Sequence, residues 1–350
     1  MKKTFKFGAV NFSEKNCVII AEAGVNHNGS IKIAEKLIKE AKKNGADIIK
    51  FQTYKAEELT IKKSPKFWDW KEEKSKTQFD AYKKLDSFNK EEYRKLISLC
   101  KKNKIEFMST PFDNKSVDML YNLGVKGFKI ASCDITNYPL LKKIAKKKLP
   151  IFISTGASTI QEILDAVNFL KRNSAKKICI LQCTLCYPTK PENANLNSIS
   201  ELKTKFPNHL IGFSDHTLGI TISSASVVSG ARVIEKHFTI DKKLKKSADH
   251  WLSINPKELK ELRENINEIM LSLKIKNKKV LACEKQTRKF ARRSLVIFED
   301  IKKGTIINEK NIIPKRPGTG ISPKYFNQVI GRKTKTFLEK DRILKFSDLE

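Results

Sequence analysis

No apolar run in this sequence approaches the roughly 20 residues that a membrane-spanning helix needs. The basic N-terminus leads into no apolar signal core, so we expect a cytoplasmic protein with no membrane partner. Cysteine is limited to seven scattered residues. Cys183 and Cys186 have CxxC spacing, but no second pair stands at the distance typical of a zinc site. We therefore expect reduced, structural thiols.

Acidic residues are also scarce, with 38 Asp and Glu against 70 Lys and Arg and a formal net charge of +32. Such an excess occurs in nucleic-acid-binding proteins, which concentrate arginine and aromatic residues in one patch. Here most basic residues are lysines spread over predicted helices, and the sequence contains no helix-turn-helix, RNP motif or zinc finger. We therefore expect solvated helix faces and no nucleic-acid partner, although the charge would attract an anionic substrate.

Eight short apolar runs, rich in Ile, Val and Phe, recur along the first two thirds of the chain. Turn-forming or polar residues follow each run, and each of the last six gaps has room for one helix. This pattern predicts an α/β fold of the (β/α)8 TIM-barrel type, whose active site lies at the C-terminal ends of the strands. The runs are Val18–Glu22, Ile48–Gln52, Glu106–Thr110, Gly127–Ser132, Ile151–Thr155, Ile178–Cys183, Leu210–His216 and Arg232–His237.

Two histidines, His216 and His237, end the seventh and eighth runs. Adjacent parallel strands lie about 4.8 Å apart, so two imidazoles at one height can share a divalent cation. Asp215 and Glu235 stand nearby in the sequence as outer partners or further ligands. A site of this kind suits Mn, Fe, Co or Zn in a catalytic role. The pattern alone leaves open that one histidine is an ordinary hydrogen-bonded barrel residue.

Two lysines, Lys50 and Lys129, end the second and fourth runs beside isoleucines expected in the core. An isolated buried ammonium group is costly, so we expect their charged ends at the barrel mouth. Ser132, Ser154 and Ser214 surround the same mouth. Ammonium groups and hydroxyls in this arrangement predict a site for a phosphate and a carboxylate.

Two carboxylates, Glu22 and Asp249, follow the first and eighth runs, whose strands are neighbours in a closed barrel. We therefore expect them to meet across the mouth. Such a pair can bind the hydroxyl groups of a polyol or move a proton.

The chain divides into a barrel domain at residues 1–275, a lysine-rich linker at 276–291 and a small β-rich domain at 292–350. The tail shows short β-like runs at Ser294–Phe298, Thr305–Ile307 and Thr334–Phe337, without a long helical pattern. The second βα connection, residues 54–89, is oversized. Insertions of this kind are typically lids or subunit contacts.

The chain carries a series of motifs, which in order are IIAEAGVNHNG, KFQTY, STPFD, FKIAS, ISTGAS, FSDHT, IEKHFT and KRPGTGISP. Taken together, they resemble those of the sialic acid synthase family, which includes N-acetylneuraminate, legionaminic acid and pseudaminic acid synthases. The likeness covers nearly the whole chain, and the motifs are specific together although each one alone is weak. The resemblance implies a (β/α)8 barrel followed by a small antifreeze-like (SAF) domain.

The resemblance also implies roles for individual residues. His216 and His237 fall where the family binds Mn or another divalent metal such as Mg or Co. Arg316 falls where the tail of one subunit reaches into the barrel of the other, which implies a domain-swapped homodimer. The phosphoenolpyruvate positions are Lys50, Lys129, Ser132, Ser154 and Ser214, and the sugar positions are Glu22, Gln52, Thr110, Phe112, Tyr187, Asp249 and Arg316.

The implied reaction joins phosphoenolpyruvate to an N-acetylated amino-sugar aldehyde. The C3 atom of phosphoenolpyruvate attacks the aldehyde, water adds at C2, and phosphate leaves by C–O cleavage. The catalytic set is then Glu22, Lys50, Lys129, His216, His237 and Asp249. The product is a nine-carbon 2-keto acid.

The acceptor sugar stays open between N-acetylmannosamine and a 2,4-diacetamido-trideoxy hexose. Cys133, Asp134 and Leu185 depart from common forms of the family motifs, so the site beside Ser132 differs in shape. The motif near the first run is closer to the neuraminic and legionaminic type than to the pseudaminic type.

Two alternatives belong to other function classes. One is a metal-independent aldolase that forms a Schiff base at Lys129 or Lys50. The other is a basic nucleic-acid-binding protein, whose affinity would fall steeply with salt.

Overall fold

The computed structural model describes residues 3–68, 73–275 and 277–350. The chain forms two compact units, Met1–Lys274 and Ile275–Glu350. The strands of the first unit are β1 (Phe5–Phe7), β2 (Val10–Phe12), β3 (Val18–Gly24), β4 (Ile48–Thr53), β5 (Glu106–Pro111), β6 (Phe128–Ile130), β7 (Ile151–Ser154), β8 (Ile178–Cys183), β9 (Leu210–Asp215) and β10 (Val233–His237).

Helices follow the strands and cover the sheet from outside. They are α1 (Ile31–Lys43), α2 (Ala56–Leu59), α3 (Gln78–Lys83), α4 (Lys90–Lys102), α5 (Asn114–Asn122), α6 (Tyr138–Lys146), α7 (Ile160–Arg172), α8 (Asn197–Lys205), α9 (Thr221–Val228) and α10 (Pro256–Ser272). In the part of the chain that the structure describes, no helix combines the length and apolar character needed to cross a membrane.

The sheet of β3–β10 is parallel and nearly closed. Its strand order is β5-β4-β3-β10-β9-β8-β7-β6, and the two end strands, β5 and β6, lie next to each other. Each strand matches its predicted apolar run to within two residues at either end. The predicted (β/α)8 barrel is therefore confirmed.

Alternation along the strands separates two apolar layers. Outward side chains such as Ile19, Ile49 and Ile234 pack with the helices in the main core. Inward side chains near the strand N-termini, among them Ile20 and Phe152, form a second cluster inside the barrel. Inward positions nearer the C-terminal ends are polar, which leaves that end of the barrel for the site.

A hairpin of β1 and β2 closes the N-terminal end of the barrel. Its Phe7 and Phe12 are buried, with 0% and 1% of their surfaces exposed. Their rings contact Phe152 of β7 at centroid distances of 5.8 and 5.1 Å. Antiparallel pairing of Phe7 with Val10 holds the turn. The leading hairpin thus belongs to the barrel core.

Truncation of Phe152 to alanine should reveal how much this aromatic cluster stabilises the barrel. Phe152 is fully buried and contacts three other phenylalanine rings. We expect Phe152→Ala to lower the free energy of unfolding by about 3–5 kcal/mol, because a large cavity would remain. Urea unfolding followed by circular dichroism measures this change. A loss below about 1 kcal/mol would mean that the hairpin relaxes into the space.

The second unit has its own apolar core. Strands β11 (Ser294–Ile297) and β12 (Ile312–Lys315) pair antiparallel, and the helices are α11 (Lys285–Ala291) and α12 (Phe326–Val329). Isolated bridges join Ile306 to Lys333 and Thr334 to Leu349, where longer strands were expected. Helix α11 lies in the stretch expected as a linker, whose first residue, Lys276, is outside the described residues.

Candidate active site

A cavity of about 500 Å³ opens at the C-terminal ends of the barrel strands. Polar inward residues of the strands form its base, and side chains of the 54–89 connection, such as Trp68 and Tyr82, form part of its wall. All predicted site residues of the first unit line it, namely Glu22, Lys50, Gln52, Thr110, Phe112, Lys129, Ser132, Ser154, Tyr187, Ser214, His216, His237 and Asp249. Arg316 belongs to the second unit, where it is exposed directly after β12.

Lys50 stands at the centre of the base. Its Nζ lies 2.8 Å from Glu22 Oε2 and 3.7 Å from Glu235 Oε2, and it donates a hydrogen bond to Thr110 Oγ1 at 3.1 Å. Gln52 donates to the other oxygen of Glu22 at 3.2 Å. Glu22 and Lys50 are neighbours in the β3–β4 ladder, which explains their contact.

Glu235 links the two lysines and was not among the predicted catalytic residues. Its Oε1 lies 3.5 Å from Lys129 Nζ and accepts a hydrogen bond from Ser214 at 2.9 Å. The sequence held a signal for this position. Glu235 is two residues before His237 in β10, so both side chains face the inside of the barrel.

The pKa values of this cluster follow from burial and pairing. Burial acts to lower the pKa of Lys50, but Glu22 and Glu235 outweigh it and raise the pKa. Burial lowers the pKa of Lys129 despite the opposing charge of Glu235. Burial raises the pKa of Glu22. For Glu235, the two lysines outweigh burial and lower the pKa. Charge pairing therefore favours a carboxylate at Glu235, whereas burial favours a protonated carboxyl at Glu22.

Two serines lie on the β6–β7 side of the base. Ser132 begins a 3-10 turn after β6 and accepts a hydrogen bond from the Gly156 backbone N–H at 2.9 Å. A Cβ at Gly156 would lie 2.9 Å from Ser132 Oγ, so the close approach requires glycine. Ser154 Oγ is buried and has no hydrogen-bond partner among the described residues. Its hydroxyl is therefore available to a ligand.

His216 and His237 meet above this base, as predicted. Their ring centroids are 5.5 Å apart, and the Tyr187 ring lies 4.2 Å from that of His216. His216 Nδ1 donates to the Thr184 carbonyl at 2.9 Å, so Nε2 would be the ligand atom whenever the ring is neutral. His237 Nδ1 lies 3.8 Å from Asp249 Oδ2 and has no hydrogen-bond partner among the described residues.

These two imidazoles fit a divalent cation as two of its ligands. Burial, together with the charges of His216 and Lys50, lowers the pKa of His237 well below its usual range, so its ring is neutral. Burial also acts to lower the pKa of His216, but Cys183 and the Thr184 carbonyl outweigh it and raise the pKa. Among the described residues, no group of three or more His, Cys, Asp or Glu side chains is arranged for a metal. Water or substrate would have to supply the other ligands.

One suggestion from the sequence changes, and it concerns Asp215. Asp215 cannot join the cation as a ligand, because its carboxylate faces away from the cavity and pairs with Lys236 at 2.8 Å. Asp249 does stand close enough to Glu22 for the two charges to interact, and burial together with Glu22 raises the pKa of Asp249 to about 6. All seven cysteines are free, and Cys183 is buried beside His216 at 3.8 Å.

The loop after β3 is held by buried polar side chains. Asn26 donates to the Phe238 carbonyl at 2.9 Å and to Ser253 Oγ at 3.0 Å. His27 accepts from the Gly29 backbone N–H at 3.0 Å and stacks on Phe88. His27 therefore supports the loop and does not line the cavity.

The stability of this loop should depend on pH through His27. Burial, reinforced by Lys246 and His250, lowers the pKa of His27 to about 3. In the unfolded chain His27 is protonated below about pH 6.5. The contribution of its neutral ring to the free energy of unfolding is therefore fully present above about pH 6.5 and is lost as the pH falls. Between pH 7 and pH 4 the free energy of unfolding should fall by about 3 kcal/mol less in His27→Gln than in the wild type. Urea unfolding across that range measures it, and equal slopes in both proteins would contradict it.

The fold and the cavity together define a (β/α)8-barrel enzyme whose open end presents paired buried charges and two imidazoles. The profile of the NeuB family matches residues 37–278, and that of the SAF domain matches residues 292–350. The chain belongs to the NeuB family, the sialic acid synthases that its motifs resemble, and the predicted SAF domain is confirmed.

Several known proteins are similar to the chain along most of its length. The N,N'-diacetyllegionaminic acid synthase of Campylobacter jejuni is 43% identical over 94% of this chain and 99% of its own. The enzyme of the same name from Legionella pneumophila is 40% identical, covering 97% and 96%. The crystal structure of N-acetylneuraminic acid synthetase from Leptospira borgpetersenii, in complex with citrate, is 35% identical with a TM-score of 0.74, covering 82% and 95%.

Proposed function

We propose that this enzyme condenses phosphoenolpyruvate with an N-acetylated amino-sugar aldehyde to give a nine-carbon 2-keto acid and phosphate. The observation that carries the proposal is the buried Lys50–Glu235–Lys129 cluster beneath two converging imidazoles. The cluster suits an anionic donor, and the imidazoles suit a cation that contacts the acceptor.

The donor would bind at the base of the cavity. Lys129 and Lys50 would balance its phosphate and carboxylate charges, and Ser132, Ser154 and Ser214 would contribute hydroxyls. Ser154 Oγ has no hydrogen-bond partner among the described residues, which supports its availability. Because Glu22 and Glu235 partly neutralise the lysines, a trianionic donor would favour proton uptake by Glu22, whose pKa burial already raises.

The acceptor would lie above the donor. Gln52, Thr110 and Asp249 offer polar contacts for its hydroxyl groups. The upper wall also has apolar and aromatic residues that suit N-acetyl and C-methyl groups, namely Val25, Leu59, Trp68, Phe112, Leu185, Tyr187 and Trp251. This wall and the similarity to two legionaminic acid synthases support a 2,4-diacetamido-trideoxy hexose over N-acetylmannosamine.

A divalent metal, with Mn first among the candidates, would be held by His216 and His237. When bound, such an ion polarises a carbonyl oxygen as a Lewis acid. The protein's own groups would orient the aldehyde toward the donor and handle protons. Glu22, which would carry a proton once the donor is bound, would give it to the aldehyde oxygen as that oxygen becomes a hydroxyl group. Asp249, with a pKa raised to about 6, is placed to exchange one near neutrality.

Phosphate release provides the direct test of this function. The full-length protein is mixed with phosphoenolpyruvate and Mn²⁺ and then with each of N-acetylmannosamine, the 2,4-diacetamido-trideoxy hexose of the legionaminic series and its pseudaminic counterpart. We expect release only with an amino sugar, and with the largest kcat/KM for the legionaminic precursor. Release with no sugar at all, or with none of the three, would contradict the proposal.

A Schiff-base aldolase is the second candidate, because burial lowers the pKa of Lys129 and favours its neutral amine. Borohydride trapping with a keto substrate would label Lys129 only in that case. The homodimer completed by Arg316, a cytoplasmic location and the absence of a nucleic-acid partner stay predictions. Light scattering of the purified protein tests the homodimer.

A further inference from the structure

A buried ion pair lies directly behind the two imidazoles. Asp215 precedes His216 at the end of β9, and Lys236 precedes His237 at the end of β10. Asp215 and Lys236 stand opposite each other in the β9–β10 ladder. Because side chains alternate along a strand, the ion pair faces the helices while the imidazoles face the cavity.

The ion pair forms hydrogen bonds with the residues on either side of His216. Lys236 Nζ lies 2.8 Å from Asp215 Oδ2 and also donates to the Thr217 carbonyl. Asp215 Oδ1 accepts from the Thr217 backbone N–H at 2.8 Å, and Oδ2 accepts from the Ser223 hydroxyl. The residues on both sides of His216 are therefore tied to the residue that precedes His237.

Stability does not by itself explain this arrangement. Asp215 and Lys236 are each only 1% exposed, so both charges have lost their hydration. Replacing a buried ion pair with apolar residues of similar size is often neutral or stabilising. A buried ion pair is better known for selecting one geometry among several similar ones. The geometry at stake here is the relative height of two strand ends that carry imidazoles.

We infer that Asp215 and Lys236 form a positioning pair that sets the separation and orientation of His216 and His237, and thereby the affinity for a divalent cation. The inference about the cation rests on the proposed function. The Thr184 carbonyl orients the His216 ring, but it belongs to the segment after β8 and does not connect β9 to β10. Two imidazoles can share one ion only when both nitrogens stand about 2.1 Å from it, so a shift of about 1 Å weakens binding.

Three variants separate positioning from general stability. Lys236→Met removes one charge and keeps the length of the side chain. The double variant Asp215→Asn/Lys236→Met removes both charges, so it avoids an unpaired buried carboxylate if the single variant fails to fold. Lys236→Arg keeps the charge and serves as the rescue. Lys147→Met is the matched control, because Lys147, directly after α6, pairs with Asp118 of α5 at 2.7 Å and neither residue lines the cavity.

Two measurements are made on each protein. Titration calorimetry gives the affinity for Mn²⁺, and ¹⁵N NMR of the metal-free protein reports the tautomer and environment of the imidazoles, which is practicable because the chain has five histidines. We expect the single and double variants to bind Mn²⁺ about 10- to 100-fold more weakly. The resonances of His216 and His237 should shift, while KM for phosphoenolpyruvate changes less than about twofold. Lys236→Arg should restore most of the affinity, and Lys147→Met should match the wild type.

A folded double variant with the Mn²⁺ affinity and imidazole resonances of the wild type would overturn the inference. So would a loss that Lys236→Arg fails to restore. If the wild type itself binds no Mn²⁺, the metal in the proposed function fails. The imidazole resonances of the metal-free variants then decide the positioning role separately.

Discussion

The His237→Ala enzyme should lose metal-dependent release of phosphate from phosphoenolpyruvate almost completely. A metal ion contributes several kcal/mol to such a reaction, so the loss should exceed about 100-fold in kcat. The fold should persist, because His237 Nδ1 has no hydrogen-bond partner among the described residues and the ring borders the cavity. Phosphate release with the preferred amino sugar and Mn²⁺ measures the effect, and circular dichroism checks the fold.

His209→Gln is the control for this experiment. His209 bonds to the Ile178 carbonyl at 3.0 Å at the start of the barrel strands and does not line the cavity. The His209→Gln enzyme should therefore retain the activity of the wild type. Full activity in His237→Ala, with or without added Mn²⁺, would remove the metal from the proposed mechanism.

The second large effect is expected from Lys129→Met. Lys129 is buried and faces Glu235 at 3.5 Å, so a donor anion would meet its ammonium group in a poorly hydrated site. Losing one partner of a buried charge pair costs about 2–5 kcal/mol, which predicts a fall in kcat/KM for phosphoenolpyruvate of at least about 30-fold. Steady-state kinetics with each substrate varied in turn measures it, and KM for the amino sugar should change little.

Lys126→Met is the matched control, since Lys126 is an exposed lysine three residues earlier on the same segment. Its kinetics should equal those of the wild type. Equal losses in the two variants would mean that Lys129 acts through the overall charge of the protein and not through contact with the donor.

Much of the fold could be predicted because apolar runs and turn residues are local signals. Inward and outward positions follow from the alternation of side chains, which is why Lys50, Lys129, His216 and His237 were expected in one cavity. Strand β12 was missed because Pro314 and lysine interrupt its apolar pattern. The predicted runs at Ile306 and Thr334 form only isolated bridges to Lys333 and Leu349, because their pairing depends on partners elsewhere in the second unit.

The site was harder to predict where a role depends on neighbours far apart in the chain. Glu235 appeared in the sequence as a possible partner of the metal, whereas in the structure it joins lysines from β4 and β6. Asp215 was also expected as a possible partner of the metal. Its side chain instead lies on the outer face of β9, where it pairs with Lys236. The outward position of Asp215 follows from alternation, but the contact of Glu235 with both lysines requires knowing how the strands are ordered around the barrel.

The phenylalanine hairpin has a consequence for the order of events in catalysis. Phe7 and Phe12 fill the N-terminal end of the barrel, so ligands would reach the cavity from the C-terminal ends of the strands. In the proposed function, a donor held by Lys50 and Lys129 at the base would have to bind before an acceptor that lies above it. The product would have to leave before a second donor binds, so substrate binding would be ordered, with the donor first.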